Sequence, residues 1–200
     1  MPAEITTPLL TVRFDDALTY AADLHRTQLR KGGGIPYLGH LLSVASLVIE
    51  GGGSEDQAIA GLLHDAVEDQ GGPQTLAEIR DKFGDHVADI VDQCSDTDAV
   101  PKPPWKKRKQ DYLDHLDEAS EDTILVSLAD KLDNGRAILR DHRTDGDALW
   151  QRFSQHDPQQ HLWYYRSLLA VYEDRNTTWL VAELRRVLDE LAERVATSPS

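Results

Sequence analysis

The chain is short of cysteine, with Cys94 the single one among 200 residues. One thiol excludes an intrachain disulfide framework and any multi-thiolate metal site, so a reducing compartment is the expected setting. Positive charge is also scarce: 21 Lys plus Arg stand against 35 Asp plus Glu, for a net charge of -14. Such a surface repels polyanions at long range, which disfavours general nucleic-acid binding. Long apolar runs are missing, none approaching the roughly 20 residues that span a bilayer. The stretch from Met1 to Pro8 offers no basic segment followed by an apolar one. No fixed-period repeat is visible, which argues against a solenoid. Almost nothing alternates with the period of two that a half-buried strand requires. These absences lead to the expectation of a soluble, cytoplasmic, all-α protein with no membrane partner.

What is present reads as one domain over residues 1–200, long enough to bury a core without staples. Apolar periodicity predicts helices near 14–30, 38–51, 54–68, 74–92, 106–118, 121–140 and 162–195. Helix-stopping residues cluster at 31–36, 51–54, 70–73 and 96–104. Ser54, followed by Asp56 and Gln57, has the pattern of an N-cap, and Thr75 followed by Glu78 that of a capping box. The polar stretch 141–161, which carries Trp150 and Phe153, reads as a long connection that could cover a site. The final amphipathic helix suits core packing or a homodimer contact.

Chemistry gathers in three apolar segments. In residues 58–69, His64, Asp65, Glu68 and Asp69 share the polar arc of an amphipathic helix. A wet helix face explains that pattern equally well, but adjacent carboxylates repel unless water or a cation intervenes. In residues 124–134 apolar side chains surround the helix almost completely, while Ser127, Asp130 and Asn134 share one strip. A buried Asp130 must then meet an arginine, a set of donors or a metal, because an unpaired carboxylate costs several kcal/mol there. His40 begins a further apolar helix. Two imidazoles and two carboxylates (His40, His64, Asp65 and Asp130) form a ligand set suited to one divalent ion. His25 reads as a packed histidine or a donor behind the ligands. His86, His115, His142, His156 and His161 have no ligand-like company. Arg30, Lys31, Lys102, Lys131, Arg136 and Arg140 are the cations that could reverse the potential inside one cleft. The run from Lys106 to Lys109 is a further candidate for that role, with solvated surface the favoured reading for it.

The blocks Ala21-Ala-Asp-Leu-His-Arg-Thr-Gln-Leu-Arg-Lys31, Gly34-Ile-Pro-Tyr-Leu-Gly-His40, Leu62-Leu-His-Asp-Ala-Val-Glu-Asp69, Phe83-Gly84 and Leu128-Ala-Asp-Lys-Leu-Asp-Asn134 occur in this order. Together they resemble the HD superfamily of metal-dependent phosphohydrolases, and within it the alarmone hydrolase domain of RelA/SpoT homologues and the stand-alone small alarmone hydrolases. The likeness covers roughly residues 14 to 140 and implies a compact multi-helix HD-domain bundle. It implies one divalent ion, most commonly manganese, on His40, His64, Asp65 and Asp130. It implies that Glu68 and Asp69 orient or deprotonate the attacking water. Arg30, Lys31, Asn134 and Arg136 would contact an anionic nucleotide. Two positions depart from the family pattern, Ala137 where many relatives carry threonine and Leu41 where proline is usual.

The implied reaction removes the 3′-pyrophosphate from guanosine tetra- or pentaphosphate. About 60 residues follow the region of likeness, too few for a nucleotidyltransferase synthetase domain, so hydrolysis without synthesis is expected. The same metal site could serve an NADPH 2′-phosphatase, a nucleotidase or an adenosine-alarmone hydrolase. An antitoxin-like partner of an alarmone synthetase is a further alternative. A cyclic-dinucleotide phosphodiesterase is disfavoured by the missing Gly-Tyr-Pro signature and additional metal histidines.

Overall fold

In the computed structural model, which describes residues 9–32, 34–95, 101 and 103–197, side-chain caps mark where several helices begin. The Thr11 side chain accepts from the Arg13 N–H and opens α1 (Val12–Leu24). Ser54 and Gln57 form a reciprocal capping box ahead of α3 (Glu55–Leu63). Helix α2 (Leu38–Glu50) lies between them. The sequence pattern assigned the capping box to Thr75, and the structure corrects this. Pro73 takes the first position of α5 (Pro73–Phe83), where its fixed φ suits a helix start, and the Thr75 hydroxyl instead donates back to the Gln70 carbonyl.

Three expected helices are each divided. The 54–68 helix turns at His64 and Asp65 and resumes as α4 (Ala66–Gln70). The 74–92 helix breaks at Gly84, whose φ of +92° an L side chain rarely adopts, and α6 (Asp85–Cys94) follows. The 162–195 helix becomes α9 (Pro158–Arg175) and α10 (Trp179–Thr197). Between them Asn176 accepts from both the backbone N–H and the hydroxyl of Thr178, a local bond that competes with helix continuation. Conversely, α7 (Trp105–Glu118) sits as expected, while α8 (Glu121–Asp145) runs past the predicted end. The stretch after α8 is not an open connection, since Gly146–Arg152 forms a 3-10 helix. The first eight residues, the 96–100 segment and Lys102 lie outside the described residues.

Helix α8 is the spine. It packs against α2, α3 and α6 on one side and against α9 and α10 on the other. Thirteen of its residues are buried, including Ile124, Leu128 and Leu132. Gly61 lets α3 approach α2 closely: a Cβ there would lie 3.3 Å from the Ala45 Cα. Between α1 and α2, the chain returns on itself through an isolated antiparallel bridge, Leu29 with Pro36. Among the described residues no helix is long and apolar enough to cross a membrane.

Candidate metal centre

Four side chains from α2, the α3–α4 turn and α8 converge. His40 is fully buried in the first turn of α2, and His64 and Asp65 occupy the turn between α3 and α4. The His64 Nδ1–H donates to the Gly61 carbonyl at 2.9 Å, which a continuous helix would offer to the Asp65 N–H. The helix turns there, and the histidine ring is fixed by the turn. His40 Nε2 lies 3.2 Å from Asp130 Oδ1 and 3.7 Å from Asp65 Oδ2. His64 Nε2 lies 3.0 Å from Asp65 Oδ2 and 3.6 Å from Asp130 Oδ1. One ligand atom each from His40, His64 and Asp65 falls within a mutual 4.8 Å, and Asp130 meets both imidazoles from α8.

These approaches are not ordinary hydrogen bonds. Both Nε2 atoms are buried and lack a partner of hydrogen-bonding geometry, although each ring's Nδ1 is firmly engaged. With Nδ1 protonated on each ring, Nε2 is the atom that takes up a further cation, a proton or a metal ion. Burial works against a charged His40, but Asp130, Asp133 and Asp65 outweigh it and push its pKa up to about 9. His64 is raised in the same way, with Asp65 and Asp130 overcoming burial. Burial would lift Asp65 and Asp130, yet their cationic neighbours hold both well below the usual carboxylate range. The site therefore favours positive charge at its centre, and its mixed nitrogen and oxygen donors fit a divalent ion.

The supporting residues include several that the sequence did not single out. Asp133 accepts from His40 Nδ1 at 2.6 Å and from Ser43 Oγ at 2.5 Å. The Tyr37 hydroxyl donates to Asp65. Lys131 reaches Asp130 Oδ2 at 2.5 Å, and Asn134 donates to the other Asp130 oxygen. Asp133 carries little signal in the sequence because it stands off the narrow strip shared by Ser127, Asp130 and Asn134. Ser127 itself plays no part here, since the Tyr112 and Tyr172 hydroxyls engage it at 2.8 and 2.7 Å.

A cavity of about 550 Å³ opens from Asp65 and Asp130 and carries Glu68 and Asp69 on its wall. Gln28 donates to Asp69 at 2.7 Å and accepts from His25 Nδ1 at 2.7 Å, so His25 stands behind Asp69 rather than behind a metal-ligand candidate. Burial raises the Asp69 pKa, and the charges of Asp65 and Glu68 add to that against the bond from Gln28. Arg30, Lys31 and Asn134 line the cavity.

Arg136 does not. It lies six residues, about 240° around α8, from Asp130, and its guanidinium pairs with Glu183 of α10 at 3.0 Å. Arg140 lines the cavity instead. The 106–109 run divides between its two readings, cavity wall and surface. Arg108 and Lys109 line the cavity, while Lys107 pairs with Asp111 outside and Lys106 lies over the Trp163 ring. His161 forms part of the far wall with Trp105 and Phe153, its Nε2 donating to the Gln155 carbonyl at 2.8 Å. Leu149, Phe153 and Ser154 bring the stretch after α8 to the cavity, as its aromatic content suggested.

A family model described as HD domain matches residues 17–176. The chain is 39% identical over 128 residues to the guanosine-3′,5′-bis(diphosphate) 3′-pyrophosphohydrolase MESH1 of Xenopus tropicalis, covering 62% of this chain and 69% of that protein. It is 31% identical over 143 residues to the MESH1 enzyme of Drosophila melanogaster, covering 70% of this chain and 75% of the relative. A solved structure described as a metazoan ortholog of SpoT that hydrolyzes ppGpp superposes with a TM-score of 0.75 at 26% identity, over 92% of this chain and 97% of that one.

Proposed function

The chain belongs to the HD-domain family, and from that premise we propose that it hydrolyses guanosine tetra- and pentaphosphate at the 3′ position, releasing pyrophosphate and leaving GDP or GTP. The observation that carries this reading is the pair of buried, partnerless Nε2 atoms facing Asp65 and Asp130, two carboxylates that line a cavity shared with Lys31, Arg108, Lys109 and Arg140. The MESH1 relatives bear the name of this reaction.

His40, His64, Asp65 and Asp130 would hold one divalent ion, for which manganese is our choice. Bound there, it supplies Lewis acidity toward water and phosphoryl oxygens. Glu68, one turn beyond Asp65, takes the proton of the attacking water, and Asp69, held by Gln28, orients that water. The water oxygen bonds to the phosphorus next to the 3′ oxygen, that P–O bond breaks, and the departing 3′ oxygen takes up a proton. Lys31, Arg108, Lys109 and Arg140 offset the phosphate charge within the cavity, where the acidic exterior would otherwise repel the substrate. Asn134 meets the nucleotide on the α8 side.

The test is product identification. Manganese-loaded protein should release pyrophosphate from both guanosine alarmones and lose that activity on chelation. Release of orthophosphate alone, or preference for NADPH or an adenosine alarmone, would reject the substrate assignment.

A further inference from the structure

Arg30 lines the cavity, yet both of its terminal nitrogens are engaged by the protein itself. Nη1 donates to Asp133 Oδ2 at 2.8 Å and Nη2 to Asn134 Oδ1 at 2.9 Å. Each acceptor leads directly to one member of the metal-ligand set. Asp133 accepts from His40 Nδ1 at 2.6 Å, with Ser43 Oγ holding its second oxygen at 2.5 Å. Asn134 turns its amide nitrogen to Asp130 Oδ1. One planar fork thus spans two supports of the same site. The loop that presents it is pinned, because the Arg30 N–H bonds to the Ile35 carbonyl and the Tyr37 N–H to the Gln28 carbonyl, both at 2.9 Å.

We propose that Arg30 and Asp133 are positioning residues of the metal site. The guanidinium locks Asp133 against His40 and Asn134 against Asp130. A carboxylate can only accept, so its contact with Nδ1 fixes the His40 tautomer that leaves Nε2 free to bind a cation. Asn134 is oriented by the same fork: its carbonyl oxygen faces the guanidinium, which leaves its NH2 for Asp130. A plain buried ion pair between Arg30 and Asp133 would need neither the His40 contact nor the Ser43 bond. Only a guanidinium can span both acceptors in this geometry, since a lysine ammonium is a point charge. This inference rests on the reading of the cluster as a divalent-metal site.

The test is manganese affinity by titration calorimetry, alongside kcat and KM, for wild type, Arg30→Lys, Asp133→Asn, Ser43→Ala and Lys31→Gln. Arg30→Lys and Asp133→Asn should bind manganese about 10–100-fold more weakly, the range for lost partners of metal-binding histidines. Ser43→Ala, which removes one bond to Asp133, should show a smaller loss in the same direction. Lys31→Gln should raise KM while holding manganese as wild type does. Wild-type affinity with a raised KM in Arg30→Lys would make Arg30 a substrate contact and overturn the inference, as would wild-type affinity in Asp133→Asn. Circular dichroism with chelator present checks folding. If the two larger changes prevent folding, an unchanged affinity in Ser43→Ala overturns the inference by itself. A wild-type protein that binds no manganese would instead defeat the metal reading beneath it, a separate result.

Discussion

At the scale of residues, His40 and His64 have the same arrangement by different means. One imidazole is fixed by a carboxylate, the other by a backbone carbonyl, and both present Nε2 to Asp65 and Asp130. Glu68 stands outside that group but on the cavity wall. Glu68→Gln keeps the shape and removes the proton acceptor. It should leave manganese binding intact and lower kcat by about 10²–10⁴-fold, the usual contribution of a general base. Single-turnover rates with metal content measured in parallel check this, and wild-type turnover would remove Glu68 from the mechanism. His64→Ala should do the reverse, abolishing high-affinity metal binding before any question of rate arises.

At the scale of elements, the site depends on how closely α2, α3 and α8 approach. Gly61 sits where a Cβ meets the Ala45 backbone, which cannot swing aside as a flexible side chain would. Gly61→Val should cost about 1–3 kcal/mol by overpacking and, by pushing α3 from α2, weaken manganese binding too. Denaturant unfolding and metal titration of the same sample test both effects. Farther from the cavity, His86 of α6 ties α3 to α8, with Nδ1 3.1 Å from Asp56 and Nε2 2.8 Å from Asp122. Arg13 shares Asp56 at 2.8 Å. Bonds to the two aspartates raise the His86 pKa above its ordinary 6.5. A raised folded-state pKa stabilises fully below about 6.5 and loses its effect as pH climbs through the folded value. The imidazole is more than half exposed, so screening limits the gain to about 0.2–1 kcal/mol. His86→Gln should therefore lower Tm at pH 6 and have little effect at pH 9. An equal loss at both pH values would show that shape, and not charge, is what His86 contributes.

At the scale of the whole molecule, a chain of net charge -14 concentrates further carboxylates inside its own bundle. Asp65, Asp130 and Asp133 sit together around two imidazoles. A cation that binds only the folded state stabilises it by mass action, about 2.7 kcal/mol at one hundred times the dissociation constant. For a domain of this length that corresponds to a rise in Tm of roughly 5–10 °C. Thermal scans with manganese and with chelator should differ by this much, and coincident curves would count against the metal site.

The helical class was legible because apolar spacing of three and four recurs through most of the chain, and the HD likeness because its blocks stand in a fixed order. The residues proposed as ligands could be named from sequence alone because their polarity is anomalous in apolar surroundings. Helix ends were less legible. The turn at His64 depends on a ring bonding to a carbonyl, and the break at Gly84 on a backbone angle, neither of which periodicity records. Residues such as Asp133, Ser43, Tyr37 and Arg108 look like ordinary polar positions until distant segments meet. What the sequence by itself determined is which side chains could not be buried without partners, since that follows from residue type and local pattern. What only the tertiary structure decided is which partners they found. Arg136 and Arg140 lie on one helix four residues apart, and just one reaches the cavity. That choice is set by which face of α8 packs against α10, a long-range contact no local window contains.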